Sequence, residues 1–173
     1  MASFTEHIDQ AKRNLAFLCE TNSMSNVSWD WQVTIAYYVG VHFMNAHLAQ
    51  VANFHYRSHE AIKNAISPAV GGVAMLPNDI YLSYGKLEGL SRRSRYLCHQ
   101  DPAMSTELGN HVTIPKHFAK AIKHLDRIIN YFVGTYSISI TPPPEIECEE
   151  LTKQALLNVF VLKIKAIIKE SAA

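Results

Sequence analysis

Arg92, Arg93, Arg95 and His99 have the types and spacing for phosphate chemistry. A histidine exchanges a proton near neutral pH. An arginine stabilises the extra negative charge that develops at phosphorus. Together they suit metal-independent cleavage of RNA through its own 2′-hydroxyl. On one unbroken helix, positions four and seven apart share a face, so Arg92, Arg95 and His99 converge while Arg93 points away. A kink near the helix end would bring Arg93 back. The same residues also suit a structural role, because cations in a last helical turn stabilise its negative end.

A second set lies downstream. Lys116, Lys120, Lys123 and Arg127 recur at spacings of four, three and four, a basic stripe flanked by His117 and His124 with Asp126 as its one acid. Such a stripe can track phosphates, or it can be the solvated face of an amphipathic helix. A third possibility is internal. Glu145, Glu147, Glu149 and Glu150 follow a proline spacer and could fold onto the stripe of the same or a second chain. His42 and His59 could meet, and His55 stands four residues before His59, but no Glu or Cys completes a ligand set, so no metal is expected. Tyr37, Tyr38 and Trp31 read as core aromatics. Nothing resembles a phosphate loop, a dinucleotide-binding glycine cluster or a serine elbow, and no cofactor is expected.

These residues must be held by helices. Ser3-Phe-Thr-Glu6 is a capping-box pattern, followed by Phe4, Ile8, Ala11, Leu15 and Leu18 as one apolar stripe. A second helix runs from Ser28 to about Ala52 and is apolar on most sides, as a central bundle helix would be. A short third begins at Ser58 and stops at Pro68, before a loop with a flexible Gly71-Gly72 pair. A fourth runs from Asn78 to about Gln100, and a fifth from Thr113 to Gly134 with Ile114, Phe118, Ile122, Leu125, Ile129 and Phe132 on its buried stripe. Thr135 to Thr141 alternates with a strand period, Pro142-Pro143-Pro144 is a stiff spacer, and Glu145 to Ala173 is expected as a helix.

Composition agrees. The chain has 173 residues, 48% of them hydrophobic and 18% charged, with a formal charge of +1. That suits one domain with a real core and excludes a uniformly basic coat. Three cysteines, Cys19, Cys98 and Cys148, form no C-x-x-C pair and read as reduced thiols. The uncharged stretch from Val33 to Ala52 carries His42, Asn45, His47 and Gln50, which are expensive in lipid, so no membrane span is expected. Charges from Glu6 onward leave no signal core, and the expected location is cytoplasmic.

Between Ser28 and Phe132 the sequence resembles the HEPN superfamily of helical bundles. The resemblance rests on Ala36-Tyr37-Tyr38 followed by His42, on Ser58-His59, and on Tyr84, Leu87, Arg93 and Arg95-Tyr96. It implies a four-helix core, frequent homodimers, and roles in RNA cleavage, toxin–antitoxin pairs, phage defence or nucleotide binding. Many members carry an arginine, four to six residues, then a histidine. Arg93 has five residues before His99 and Arg92 has six, although the polar residue usual after the arginine is here Ser94 or Arg93.

The expectation is an all-α, antiparallel, HEPN-like bundle of five to six helices. Residues 1–134 form the bundle, 135–144 the linker, and 145–173 a helix packed on the bundle or on a partner chain. The expected function is a homodimeric module that binds nucleotide, RNA or a protein such as an antitoxin, with Arg95, Lys116, Lys120, Lys123 and Arg127 as its phosphate contacts. The alternative is a metal-independent endoribonuclease using His99 with Arg92 or Arg93.

Overall fold

The computed structural model describes residues 2–24, 28–96, 115–152 and 157–163. They form an all-α bundle with a two-stranded accessory. The helices are α1 (Phe4–Ser23), α2 (Trp29–Ala52), α3 (His59–Ile66), α4 (Asn78–Tyr96), α5 (Pro115–Tyr136) and the short α6 (Glu149–Thr152). Among the described residues no helix is long and apolar enough to cross a membrane.

Capping sets the helix starts. Ser3 Oγ accepts from the Glu6 amide, and the Glu6 carboxylate accepts from the Ser3 amide at 2.7 Å, closing the predicted capping box. Ser58 caps α3 by accepting from the Ala61 amide. Asn53 ends α2 in the left-handed region at φ 53°, and the Phe54 amide returns to the Leu48 carbonyl. Asn45 then clamps the returning chain, donating to the Tyr56 carbonyl at 3.3 Å and accepting from its amide at 3.0 Å.

α2 is the axis of the fold. It is apolar on nearly every side, and it packs on α1, α4 and α5. α1 runs antiparallel to α2, with Asn22 at Gln32 and His7 at His42. α5 runs parallel to α2, because Trp29 meets Phe118, Phe43 meets Phe132 and His47 meets Tyr136. α4 is antiparallel to α5. Tyr37, Tyr84, Phe43, Phe118 and Phe132 are fully buried, and each such side chain contributes on the order of 1.5–3 kcal/mol. Tyr37 and Tyr84 stack at 5.8 Å with their hydroxyls 3.4 Å apart, and burial pushes the Tyr37 phenol up to about 12.

Two expected core aromatics are not core. Trp31 is 66% exposed and Tyr38 38%, since the side of α2 they occupy is only partly covered. The Gly71-Gly72 pair is also more constrained than a flexible loop. Gly71 has φ +66°, and a Cβ on Gly72 would lie 2.3 Å from the Ala65 carbonyl oxygen. Residues 72–76 lie back along α3, with Ala74 and Leu76 amides on the Ala65 and Ile66 carbonyls.

The C-terminal part corrects the expectation most. α5 continues past Gly134 to Tyr136, and residues 137–144 form no strand: Ser137 has φ 52°, and only at the segment's end does the Pro144 carbonyl accept from the Val161 amide at 2.9 Å. Its Ile138 and Ile140 are partly buried against the core instead. Residues 145–163 are not one helix. β1 (Glu145–Glu147) and β2 (Val161–Lys163) pair in parallel, Ile146 opposite Leu162, across a connection that includes α6. Ile146 and Phe160 are buried. The unit docks on its own bundle: Glu147 exchanges two hydrogen bonds with Asn22, at 2.6 and 3.1 Å. Residues 164–173 of the expected helix lie outside the described residues.

Candidate functional site

The predicted basic stripe is built as a face shared by α4 and α5. Arg127 donates to Ser83 Oγ at 3.5 Å, and Ser83 is tied to α4 by donating to the Asp79 carbonyl at 2.8 Å. Three residues back along α5, His124 lies within the field of Lys86, Arg127, Lys120 and Lys123. Burial first, and then those four cations, push its imidazole down to about 4. Lys86, Lys116, Lys120 and Arg127 are at least partly exposed. Among the described residues, none of Lys86, Lys116, Lys120, Lys123 and Arg127 has a carboxylate within 4 Å.

Lys86 belongs to this face although it is no part of the stripe that the sequence spacing marks. It is on the preceding helix, and only the antiparallel register of α4 on α5 brings it level with His124. Arg93, seven residues after Lys86, shares its side of α4. It is half-buried and its Nε makes no hydrogen bond among the described residues.

Asp126 does not neutralise the stripe. It is 5% exposed and turned away from it, accepting from the amides of Asn158 and Val159 at 3.1 and 2.7 Å. The acidic run divides between two helices, with α6, which carries Glu149 and Glu150, packed on α5. β1 sits on α1, and Cys148 Sγ approaches the Pro115 carbonyl at the first turn of α5 at 3.8 Å.

The other predicted residues are dispersed. Arg92 is exposed on the side of α4 that carries Glu88, which pairs with Lys63 at 2.9 Å. Arg95 is half-buried, and its Nε donates to the Ser91 carbonyl one turn back at 3.4 Å. Arg92 and Arg93 therefore face different surfaces. His99 lies outside the described residues, as do Cys98 and the first residues expected for the fifth helix, Thr113 and Ile114.

Among the described residues no group of three His, Cys, Asp or Glu side chains is placed to hold a metal ion. His42 meets His7 rather than His59, which instead lies against Tyr37 with ring centres 5.2 Å apart. The signal for His7 was present: it stands four residues before Ala11, on the buried stripe of α1. A cavity of about 350 Å³ lies between Lys12, Leu15, Ala16 and Cys19 of α1 and residues 140–145, away from the basic face. Comparison with family models, curated proteins and solved structures found no match to this chain.

Proposed function

We propose that this chain is a helical module that binds RNA through the α4–α5 face. One observation carries the reading: four cations from two helices act on His124, and among the described residues no carboxylate pairs with any of them. Like charges held together without acids repel one another, and a phosphate backbone relieves that repulsion. The resemblance to HEPN bundles, which include many ribonucleases, favours RNA over other polyanions. Binding without cleavage is the reading adopted, because the basic face is described whole while His99, which cleavage needs, lies outside the described residues.

The test is anisotropy of labelled single-stranded and hairpin RNA at 50 mM salt with EDTA present. Lys120→Glu/Lys123→Glu should weaken binding on the order of tenfold or more, since two phosphate contacts become repulsive. Lys12→Glu, on α1, should bind as wild type. Equal affinities for all three proteins would refute the assignment of this face. The same samples report cleavage. Products with 2′,3′-cyclic phosphate ends that vanish in His99→Ala and in Arg92→Ala/Arg93→Ala would replace the binding reading with the ribonuclease one.

A further inference from the structure

Three histidines from three elements meet where α1 begins. His7 comes from α1, His42 from α2 and His55 from the turn that Asn45 clamps. The His7 ring lies 5.7 Å from that of His42 and 5.7 Å from that of His55. The Nδ1 atoms of His7 and His42 are 3.4 Å apart. His7 is 8% exposed, and its Nε2 and the Nδ1 of His55 are buried without a hydrogen bond among the described residues.

That arrangement does not hold two protonated rings. A neutral imidazole has one donor and one acceptor, so two facing Nδ1 atoms can share a proton between them. If both rings are protonated, two donors and two positive charges face each other at that distance. Little relief is at hand. On α1, Arg13 opposes a charge on His42, and Glu6 favours one on His7, but Glu6 is fully exposed and engaged in the Ser3 cap. From the turn, His55 opposes a charge on His7. From α2, the facing group is His42 itself. The cluster is not arranged for a metal, since no three donors converge among the described residues.

We propose that the His7–His42–His55 cluster is a proton-operated latch, closing the first turns of α1 over α2 when neutral and releasing them when protonated. Burial pushes His7 and His42 below the ordinary histidine value. The open form therefore binds more protons than the closed one. Closure is fully favoured above about pH 6.5 and is lost as pH falls below it. Release uncovers Ile8 and Ala11 and separates Phe4 from Tyr136, whose rings are 5.1 Å apart. The consequence is apolar surface that appears only in acid.

Hydrogen exchange followed by mass spectrometry tests this on the full chain in EDTA, with rates corrected for intrinsic pH dependence. Between pH 7.5 and 5.5, protection of residues 4–18 should fall roughly severalfold more than that of residues 121–132, because opening there takes up protons that the closed cluster excludes. In His7→Gln/His42→Gln this difference should vanish. His55→Gln, which leaves the direct contact in place, should reduce it. Uniform loss across all helices, or a difference undiminished in both variants, would overturn the latch. So would uptake of one equivalent of zinc in EDTA-free buffer that the double variant loses, because the cluster would then be a metal site.

Discussion

Two residues of α5, His124 and Asp126, show how neighbours in sequence take unlike roles. His124 looks toward the cations of α4 and α5, and burial plus those charges hold it neutral down to about pH 4. Its native value lies below its unfolded one, so it contributes stability that is complete above about pH 6.5 and drains away as pH falls toward 4. An NMR titration should show its imidazole protonating well below pH 5, and a midpoint near 6.5 would contradict the crowding of charge. Lys120→Gln/Lys123→Gln should raise that midpoint, and so should saturating RNA, since both remove the positive field. Asp126 instead spends its carboxylate on two backbone amides of residues 158 and 159. Asp126→Ala leaves two partly buried donors without a partner. Denaturant unfolding should register a loss of about 2–4 kcal/mol, with residues 157–163 losing protection first. A loss no larger than that of an exposed substitution would mean that the C-terminal unit is held by Ile146 and Phe160 alone.

At the scale of elements, what was legible in the sequence depended on length and period. The four long helices announced themselves through stripes such as Phe118, Ile122, Leu125 and Ile129, and the caps Ser3 and Ser58 were visible as residue types. The three-residue strands were not, because Glu145–Glu147 and Val161–Lys163 are too short to show a period and pair across a connection no local signal reveals. The basic face was half legible: α5 supplied its stripe, while Lys86 joined only through packing. Glycines make the same point in energetic terms. Gly89 lies on α4 where an added Cβ would meet nothing within 4 Å, so Gly89→Ala should stabilise by about 0.5–1 kcal/mol. Gly72→Ala should cost about 2–3 kcal/mol, because its Cβ would meet main-chain oxygens of Asn64 and Ala65 that cannot rotate away. Thermal unfolding of the two variants should move in opposite directions. A Gly72→Ala protein as stable as wild type would show that residues 72–76 can lift off α3 freely.

For the whole molecule, a net charge of +1 conceals a separation of charge. Asp126 is consumed internally, β1 sits on α1 and α6 on α5, while Lys86, Lys120, Lys123 and Arg127 have no carboxylate within 4 Å among the described residues. Binding driven by such a face must release counterions, so its signature is the salt dependence of affinity rather than affinity itself. Four phosphates neutralised on a single strand give a slope of log K against log salt of roughly −3, or on the order of fifty-fold weaker binding between 50 and 200 mM. Lys120→Glu/Lys123→Glu leaves two such contacts and should bring the slope to about −1.5. Lys12→Glu changes the net charge by the same amount per residue but lies on α1, so it should leave the slope unchanged. That comparison separates a local face from a general effect of charge. A slope set by net charge alone, equal for single reversals on α1 and α5, would mean that the α4–α5 cations act only as part of a diffuse field and that no defined RNA path runs along them.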